Sequence, residues 1–246
     1  MKVVKVKTNY YLENEETKIK LEPEVVHKYR LYSSSEVANL ELVILDNQYY
    51  FYYKMALKRL SSMQSEYMLR KYLIEKGISK PVLNQVITEL YKLRYLDDYE
   101  YALNYKDLKQ YQWGPRKIEA NLLTNGVNKE IINEVVELID EEEILDNLLS
   151  KELRKIKSSI KSFEQKLIRK YYNKGFTLNI ITKVLSRHLA NIDYDESIDL
   201  EKEYYRLKSR LEVKDLTKNE LKYQITQRLL RRGYKLDDIK KIEEWN

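Results

Sequence analysis

The sequence contains no cysteine, and only three prolines and five glycines occur among its 246 residues. Without cysteine, the protein can hold no disulfide bond, thiolate nucleophile, zinc–thiolate site or cysteine-bound iron–sulfur cluster. So few glycines and prolines provide few turns for a β-rich fold, and the composition therefore favours helices. No apolar run reaches the roughly 20 residues of a membrane span, and no signal-peptide core follows the first lysines. These absences predict a helical, soluble, cytoplasmic protein with no membrane partner.

Basic residues exceed acidic ones, and the excess is uneven. Charged residues make up 34% of the chain and hydrophobic residues 43%, which is enough to bury sizeable cores. The net charge is +6, and residues 151–190 contain eleven basic residues but two acidic ones. Four of these basic residues share one helical face and have no acidic residue three or four positions away. They are Lys166, Arg169, Lys170 and Lys174. This face is predicted to bind phosphate groups or acidic protein; the alternative is an ordinary solvated helix face.

Four of the five glycines mark an internal repeat. They are Gly77, Gly126, Gly175 and Gly233, separated by 49, 49 and 58 residues. Apolar or aromatic residues lie eight, four and three positions before each glycine, which predicts a helix with a broad buried stripe and a left-handed glycine at its end. The residues three positions before are Ile74, Leu123, Tyr172 and Leu230. A second helix is predicted after each glycine, and a third before each pair.

The repeat predicts a mainly α protein of tandem three-helix repeats in an elongated array, with a small N-terminal β-hairpin element. The predicted boundaries are 1–34 for the β-rich element and 35–96, 97–140, 141–194 and 195–246 for the four repeats. Short helices are marginal alone, so each repeat is expected to bury its apolar faces against its neighbours. Residues 42–53 would also suit strands because they are rich in branched and aromatic side chains, but we assign them to a helix.

Two alternating runs predict the N-terminal hairpin. In the first run Val4 and Val6 alternate with lysines. In the second run Ile19 and Leu21 alternate with lysines, and the polar segment at residues 13–16 between the two runs would form the turn. The proline that follows is predicted to open a short helix. Three serines at residues 33–35 indicate a linker to the first repeat.

Motifs in residues 56–127 resemble the family of the regulatory protein RecX. They are Ala-Leu-Lys-Arg-Leu-Ser at 56–61, Tyr-Leu-Asp-Asp at 95–98 and Gly-Pro-Arg-Lys-Ile at 114–118, the last two at the family's separation. The rest of the chain resembles the family in its repeat architecture. The resemblance implies a protein that is not an enzyme, needs no cofactor and binds the RecA–DNA filament in its helical groove. It also implies regulation of recombination and DNA repair, most often by inhibition of ATP hydrolysis and strand exchange.

Basic residues are the contacts predicted with the RecA filament or with nucleic acid. They are Arg70, Lys71, Arg116 and Lys117 in the region of resemblance, and Lys166, Arg169, Lys170 and Lys174 in the third repeat. The sequence departs from the family pattern at two places. Met63 and Gln64 stand where many members have a basic pair, and Arg94 replaces the glycine before Tyr-Leu-Asp-Asp. The first departure weakens the prediction of a charge contact there, and the second predicts a different helix ending.

Candidates for catalysis or metal binding are few. The two histidines, His27 and His188, lie in different predicted domains and are too few ligands for a metal site. His188 falls on the apolar side of its predicted helix, which favours a packed, hydrogen-bonded residue. The acidic residues 97–98 and 141–143 stand where helices begin, so we interpret them as caps that complement the helix dipole. We predict no catalytic residue and no metal ligand.

Two other functions stay open at this point. The main alternative is a direct DNA-binding protein whose three-helix modules act like helix-turn-helix domains. It predicts tight, salt-dependent binding to naked DNA, whereas a net charge of +6 over four repeats favours weak binding to single- or double-stranded DNA. The third interpretation is a helical scaffold for another protein. A monomer is expected, because it suits a repeat array whose end units are covered.

Overall fold

The computed structural model describes residues 1–32, 37–154, 156–214 and 216–244. The described strands are β1 (Lys2–Val6), β2 (Asn9–Glu13) and β3 (Lys18–Leu21). The described helices are α1 (Pro23–Lys28), α2 (Leu40–Arg59), α3 (Glu66–Glu75), α4 (Lys80–Lys92), α5 (Asp98–Lys109), α6 (Pro115–Thr124), α7 (Lys129–Glu137), α8 (Glu141–Leu153), α9 (Ile160–Asn173), α10 (Leu178–Ala190), α11 (Ser197–Glu212), α12 (Lys218–Arg231) and α13 (Leu236–Glu244). The mainly α class is confirmed. The linker predicted at residues 33–35 lies outside the described residues.

The N-terminal strands form an antiparallel sheet in which β2 lies between β1 and β3. Leu12 of β2 lies opposite Val3 and Ile19 and is fully buried. The predicted two-stranded hairpin was incomplete, because the first and last runs pair with β2 and not with each other. The pattern did not reveal β2, since Tyr10, Tyr11 and Leu12 are consecutive apolar residues without alternation. The buried side of the sheet shares a core with α1 and α2.

The helices α2, α3 and α4 pack against one another around a common core. Leu69 and Leu73 of α3 and Leu90 of α4 are fully buried in it. α2 continues through residues 42–53, so the helical assignment of that segment is confirmed. Its aromatic residues fit the helix because side chains such as that of Tyr53 pack, partly buried, against the same core.

The chain divides into two compact units, residues 1–106 with 121–135 and residues 107–120 with 136–246. The first unit contains the sheet and helices α1 to α4. In the second unit, α10 packs against α8 and α9, while α11, α12 and α13 share another core. Each of α5, α6 and α7 contributes residues to both units. The residue boundaries of the four repeats stay predictions.

The four repeat glycines follow α3, α6, α9 and α12 in the left-handed conformation, with φ between 77° and 92°. The residues eight and four positions before them are buried in all four helices. The residues three positions before are exposed, so the predicted breadth of the buried stripe was wrong. They are Ile74 (58% exposed), Leu123 (59%), Tyr172 (44%) and Leu230 (36%). One step along a helix is a rotation of roughly 100°, which carries these side chains past the covered side.

Arg94 ends α4 in a way that the sequence did not predict. Its φ of 57° is left-handed, as at the repeat glycines. The Tyr95 amide donates to the Leu90 carbonyl oxygen at 2.9 Å, which is the bond that closes a helix end of the glycine type. The different ending predicted from the arginine is therefore not found. A residue with a Cβ adopts this conformation at a cost of about 1–2 kcal/mol.

Of the acidic residues at the predicted helix starts, Asp97, Asp98 and Glu141 are caps, as predicted, whereas Glu142 forms ion pairs with Lys183 and Arg187. Asp97 accepts hydrogen bonds from two amides in the first turn of its own helix, α5. Asp98 accepts one from the Glu66 amide at 2.7 Å, where α3 begins. Glu141 accepts one from the Thr177 amide, immediately before α10. Asp98 and Glu141 thus cap a helix other than their own.

Candidate functional site

The start of α6 lies against the end of α9. The Gly114 amide donates to the Lys174 carbonyl oxygen at 2.8 Å. The Arg116 amide donates to the Gly175 carbonyl oxygen at 3.2 Å. Carbonyl groups at the end of a helix have no partner within it, and here the start of α6 satisfies two of them. The contact brings together two groups of basic residues that the sequence predicted separately.

This contact requires glycine on both sides. Gly175 has a φ of 92°, and a Cβ there would lie 2.5 Å from the Lys117 backbone nitrogen. A Cβ on Gly114 would lie 2.3 Å from the Phe176 backbone nitrogen. Since backbone atoms cannot move aside as a flexible side chain can, only glycine permits this approach. We call a contact between a helix start and such a glycine turn a glycine joint.

Glycine joints also occur at two other helix starts. At the start of α3, the Ser65 hydroxyl donates to the Asn125 carbonyl oxygen at 2.5 Å, beside the glycine that ends α6. At the start of α9, the Ser159 hydroxyl donates to the Arg232 carbonyl oxygen, beside the glycine that ends α12. Along the series α3, α6, α9 and α12, each of the first three helices begins against the glycine turn of the next helix.

Basic side chains lie over aromatic rings at the joint of α6 and α9 and immediately before α6. The Arg116 guanidinium carbon lies 5.0 Å from the centroid of the Tyr172 ring. The Lys117 and Lys109 ammonium groups lie 4.8 Å and 5.0 Å from the ring of Trp113. Each such contact contributes about 0.5–1 kcal/mol at an exposed site. We call Lys109, Trp113, Arg116, Lys117 and Tyr172 the basic–aromatic surface.

The four basic residues predicted on α9 differ in their surroundings. Lys166 and Arg169 are exposed, and neither forms an ion pair within the part of the chain that the structure describes. Lys174 is half-buried at the joint. The Lys170 ammonium lies 2.9 Å from a carboxylate oxygen of Glu152 on α8, so its charge is neutralised between helices. Residue spacing within α9 could not predict this partner, because it depends on how α8 packs.

The ring of buried Tyr171 lies close to two of these basic side chains. The Lys170 and Lys174 ammonium groups lie 5.5 Å and 5.6 Å from its ring. Burial raises the pKa of Tyr171 to about 12, and the nearby charge of Glu152 adds to the increase. The hydroxyl therefore stays protonated at physiological pH, and Tyr171 serves as a packed, neutral ring beneath the cations.

Arg70 and Lys71, the two other predicted contacts, lie on α3 in the first unit. The Arg70 guanidinium donates to the Glu66 carboxylate at 2.5 Å and to the Asn84 side-chain oxygen at 3.1 Å. Glu66 also accepts a hydrogen bond of 2.7 Å from the Tyr91 hydroxyl. Arg70 therefore links α3 to α4 within the fold. Lys71 is exposed and forms no ion pair among the described residues.

The contacts of basic side chains with the rings of Trp113 and Tyr172 were not predicted from the sequence. The contact of Arg116 with Tyr172 depends on the joint, which joins segments that are distant in the sequence. Lys109 and Lys117, by contrast, stand four positions from Trp113 in the sequence. One signal for the joint was present. Gly114 is the one glycine of the five that stands outside the repeat pattern, and it directly precedes a proline. A glycine that ends no helix indicates a close approach of backbone.

The histidines and carboxylates do not form a metal centre in the described ranges. The His188 imidazole lies 3.0 Å from the Asp146 carboxylate, so the prediction of a hydrogen-bonded histidine is confirmed. His27 lies 2.8 Å from the Tyr32 hydroxyl. No three histidine, aspartate or glutamate side chains of the described residues are grouped to hold a metal ion. Within the same residues, no helix combines the length and the apolar character needed to cross a membrane.

Similarity to known proteins is found along most of the chain, although no protein-family model matches it. The regulatory protein RecX of Lactococcus lactis subsp. cremoris (strain SK11) is 29% identical over 243 residues, covering 92% of this chain and 88% of that protein. The regulatory protein RecX of Streptococcus thermophilus (strain ATCC BAA-491 / LMD-9) is 28% identical over 185 residues, covering 72% of this chain and 70% of that protein.

Two solved structures share the fold. A crystal structure of regulatory protein RecX matches with a TM-score of 0.57 and 20% identity, covering 74% of this chain and 98% of that one. The crystal structure of RecX from Lactobacillus salivarius matches with a TM-score of 0.54 and 22% identity, covering 58% of this chain and 97% of that one. By its sequence over most of its length and by its fold, the chain is a homologue of the RecX regulatory proteins.

Proposed function

We propose that this chain is a non-enzymatic regulator of RecA that acts by binding the RecA–DNA filament. The homology with regulatory proteins of the RecX family supports this proposal. The observation that carries it is the basic–aromatic surface, which the joint of α6 and α9 assembles from distant segments. A regulator that acts by binding needs a fixed contact surface, and backbone hydrogen bonds between two helix ends fix this one.

The proposed contacts are basic residues of both units. They are Arg116, Lys117, Lys166, Arg169 and Lys174 in the second unit and Lys71 in the first. Exposed ion pairs are individually weak, at about 0–1 kcal/mol, so affinity and salt dependence come from several contacts together. A RecA–DNA filament offers both acidic protein and phosphate groups to such a surface. Arg70 and Lys170 already bind partners within their own units, so we propose that they contribute less to binding.

We propose inhibition as the regulatory effect. A helical protein bound in the filament groove, in contact with neighbouring subunits, would hinder both the addition of subunits and nucleotide turnover. This effect is steric and electrostatic, so no residue of this chain has to take part in a chemical step.

Direct DNA binding is the second candidate function. Tyr172 is 44% exposed and lies beneath the Arg116 guanidinium. An exposed ring beside a cation can stack on a base while the cation contacts phosphate. This candidate predicts salt-dependent binding to bare single-stranded DNA that does not need RecA.

Charge reversal tests the proposed contacts. The test variant carries Arg116→Glu, Lys166→Glu, Arg169→Glu and Lys174→Glu. Lys170 is left unchanged, because its ion pair with Glu152 stabilises the fold. The matched control carries Lys151→Glu, Lys202→Glu, Lys218→Glu and Lys240→Glu, which are exposed residues of the same unit. Both variants have the same net charge.

The measurement is co-sedimentation with preassembled RecA filaments on single-stranded DNA, with circular dichroism to verify folding. We expect the test variant to bind at least about tenfold more weakly than the wild type, the loss of about 1.4 kcal/mol over four weak contacts. The control should bind within about twofold of the wild type. Wild-type affinity in a folded test variant would refute the proposed surface. An equal loss in both variants would assign binding to net charge alone.

A further inference from the structure

The four residues three positions before the repeat glycines share their exposure to solvent, and one of them, Tyr172, also lies beneath the Arg116 guanidinium. We call Ile74, Leu123, Tyr172 and Leu230 the outward set. Each is between 36% and 59% exposed, whereas the residue directly before it in the chain is buried in all four helices. A single exposed apolar side chain is ordinary on a protein surface. The same exposure at the equivalent position of four helices indicates a shared use.

The backbone holds every member of the outward set in the same way. The amide of each repeat glycine donates to the carbonyl oxygen of the set member three positions before it, at 2.9–3.0 Å. Each side chain therefore projects from a closed helix end and not from a frayed one. A side chain presented from a fixed backbone loses less conformational freedom on binding, which favours affinity.

The chemistry of the outward set favours a protein partner over nucleic acid. Three of the four members are aliphatic, and aliphatic side chains offer no ring on which a base can stack. Two of the four members have a basic neighbour on the helix surface, because Lys71 precedes Ile74 by three positions and Arg169 precedes Tyr172 by three. The complementary surface is therefore apolar with acidic residues beside it.

The recurrence of the set indicates the form of the partner. Each of the two compact units carries two set members, in the same position of the repeat. A contact that recurs in one chain fits a partner that presents the same small surface many times, as a polymer of identical subunits does. We infer that the outward set docks on apolar, acidic-rimmed sites that recur on the subunits of a protein filament. This inference rests on the proposed function, in which that filament is RecA.

Serine substitution of the outward set tests this inference. The test variant carries Ile74→Ser, Leu123→Ser and Leu230→Ser; Tyr172 is left unchanged because it also belongs to the basic–aromatic surface. The matched control carries Leu138→Ser, Leu178→Ser and Ile198→Ser, which are 45–57% exposed and lie outside the set. Circular dichroism and thermal melts establish that both variants fold. Binding is measured to RecA filaments by co-sedimentation and to bare single-stranded DNA by fluorescence anisotropy.

We expect the test variant to lose at least about tenfold in affinity for RecA filaments, with the control within about twofold and bare DNA binding unchanged. If the wild type binds filaments and the folded test variant binds equally well, the inference is wrong while the proposed function stands. If the test variant loses affinity for bare DNA to the same extent, the set contacts nucleic acid and the protein partner is wrong. If the wild type does not bind filaments, the proposed function and this inference both fail.

Discussion

The helices α9 and α12 differ in where the hydrogen-bond partners of their first residues come from. At α9 the partners are distant in the sequence. The Ser159 hydroxyl donates to the Arg232 carbonyl oxygen at the end of α12. The Ile160 amide donates to the Glu196 carboxylate at 2.9 Å, where α11 begins. The start of α9 is therefore built from three elements of the second unit.

At α12 the partners are local. The Glu220 amide donates to the Thr217 hydroxyl at 3.3 Å, and both the hydroxyl and the amide of Thr217 donate to the Glu220 carboxylate, at 2.7 and 2.9 Å. The start of α9 thus joins other helices, whereas the start of α12 closes itself. The joined starts place residues of distant segments side by side, and the basic–aromatic surface is the product of one of them.

The largest effect is expected where a joint requires glycine. Gly175→Ala should lower the free energy of unfolding by about 3 kcal/mol, because left-handed strain adds to a backbone clash with Lys117. Gly77 is the matched control, since a Cβ there meets nothing closer than the Tyr52 hydroxyl at 3.7 Å. Gly77→Ala should cost about 1–2 kcal/mol, from left-handed strain alone. Urea denaturation measures both variants, and equal costs would mean that the joint adds nothing.

A smaller difference is expected between the two caps. Ser159→Ala should cost about 2 kcal/mol, because it removes a cap and a buried bond between helices. Thr217→Ala should cost about 1 kcal/mol, the usual effect of losing an exposed cap. Urea denaturation again gives both values. A larger loss from Thr217→Ala would reverse the comparison between joined and self-closed starts.

Arg94 tests a helix end that belongs to no glycine joint. Arg94→Gly should raise the free energy of unfolding by about 0.5–1 kcal/mol, because relief of left-handed strain exceeds the added entropy of the unfolded chain. The measurement is the thermal midpoint of the variant against that of the wild type. An unchanged or lower midpoint would show that contacts of the arginine side chain offset the strain of its left-handed backbone.

The smallest effects concern pH and have opposite signs at a joined and a self-closed start. Asp98 caps α3, and burial raises its pKa above the value in the unfolded chain. At neutral pH the ionised carboxylate therefore lowers the stability of the folded state. That cost disappears as the pH falls through the raised pKa. Hydrogen bonds from Thr217 lower the pKa of Glu220. The ionised Glu220 therefore stabilises the folded state above its unfolded-state pKa, and this stabilisation is lost as the pH falls through its lowered folded-state pKa.

Amide substitutions measure these two signs. At neutral pH, Asp98→Asn should raise the melting temperature and Glu220→Gln should lower it. Both differences from the wild type should shrink as the pH falls, that of Asp98→Asn at higher pH than that of Glu220→Gln, because the pKa of Asp98 is raised and that of Glu220 is lowered. Shifts of the same sign at neutral pH would show that the two starts do not differ electrostatically.

The features governed by local rules could be predicted from the sequence. The glycine at each helix end requires only a left-handed residue after an apolar stripe, and all four were predicted. The helix over residues 42–53 and the capping role of Asp97 follow from the same kind of local pattern. The family resemblance rested on short motifs, and the similarity to RecX proteins covers most of the chain.

The features that depend on packing could not be predicted. Strand β2 lacks an alternation of apolar and polar residues, so it forms a strand because it pairs with β1 and β3. The exposure of the outward set depends on which side of each helix is covered. The ion pair of Lys170 with Glu152 and the approach of Gly114 to Gly175 need the positions of helices that are distant in the sequence. The basic–aromatic surface belongs to this second group.

RecA regulation is tested most directly by the hydrolysis of ATP by RecA on single-stranded DNA, titrated with this protein. We predict inhibition at protein ratios far too low to coat the DNA, and no inhibition by the variant in which Arg116, Lys166, Arg169 and Lys174 are reversed. Unchanged hydrolysis, together with salt-sensitive binding of the wild type to bare DNA, would refute RecA regulation and favour direct DNA binding.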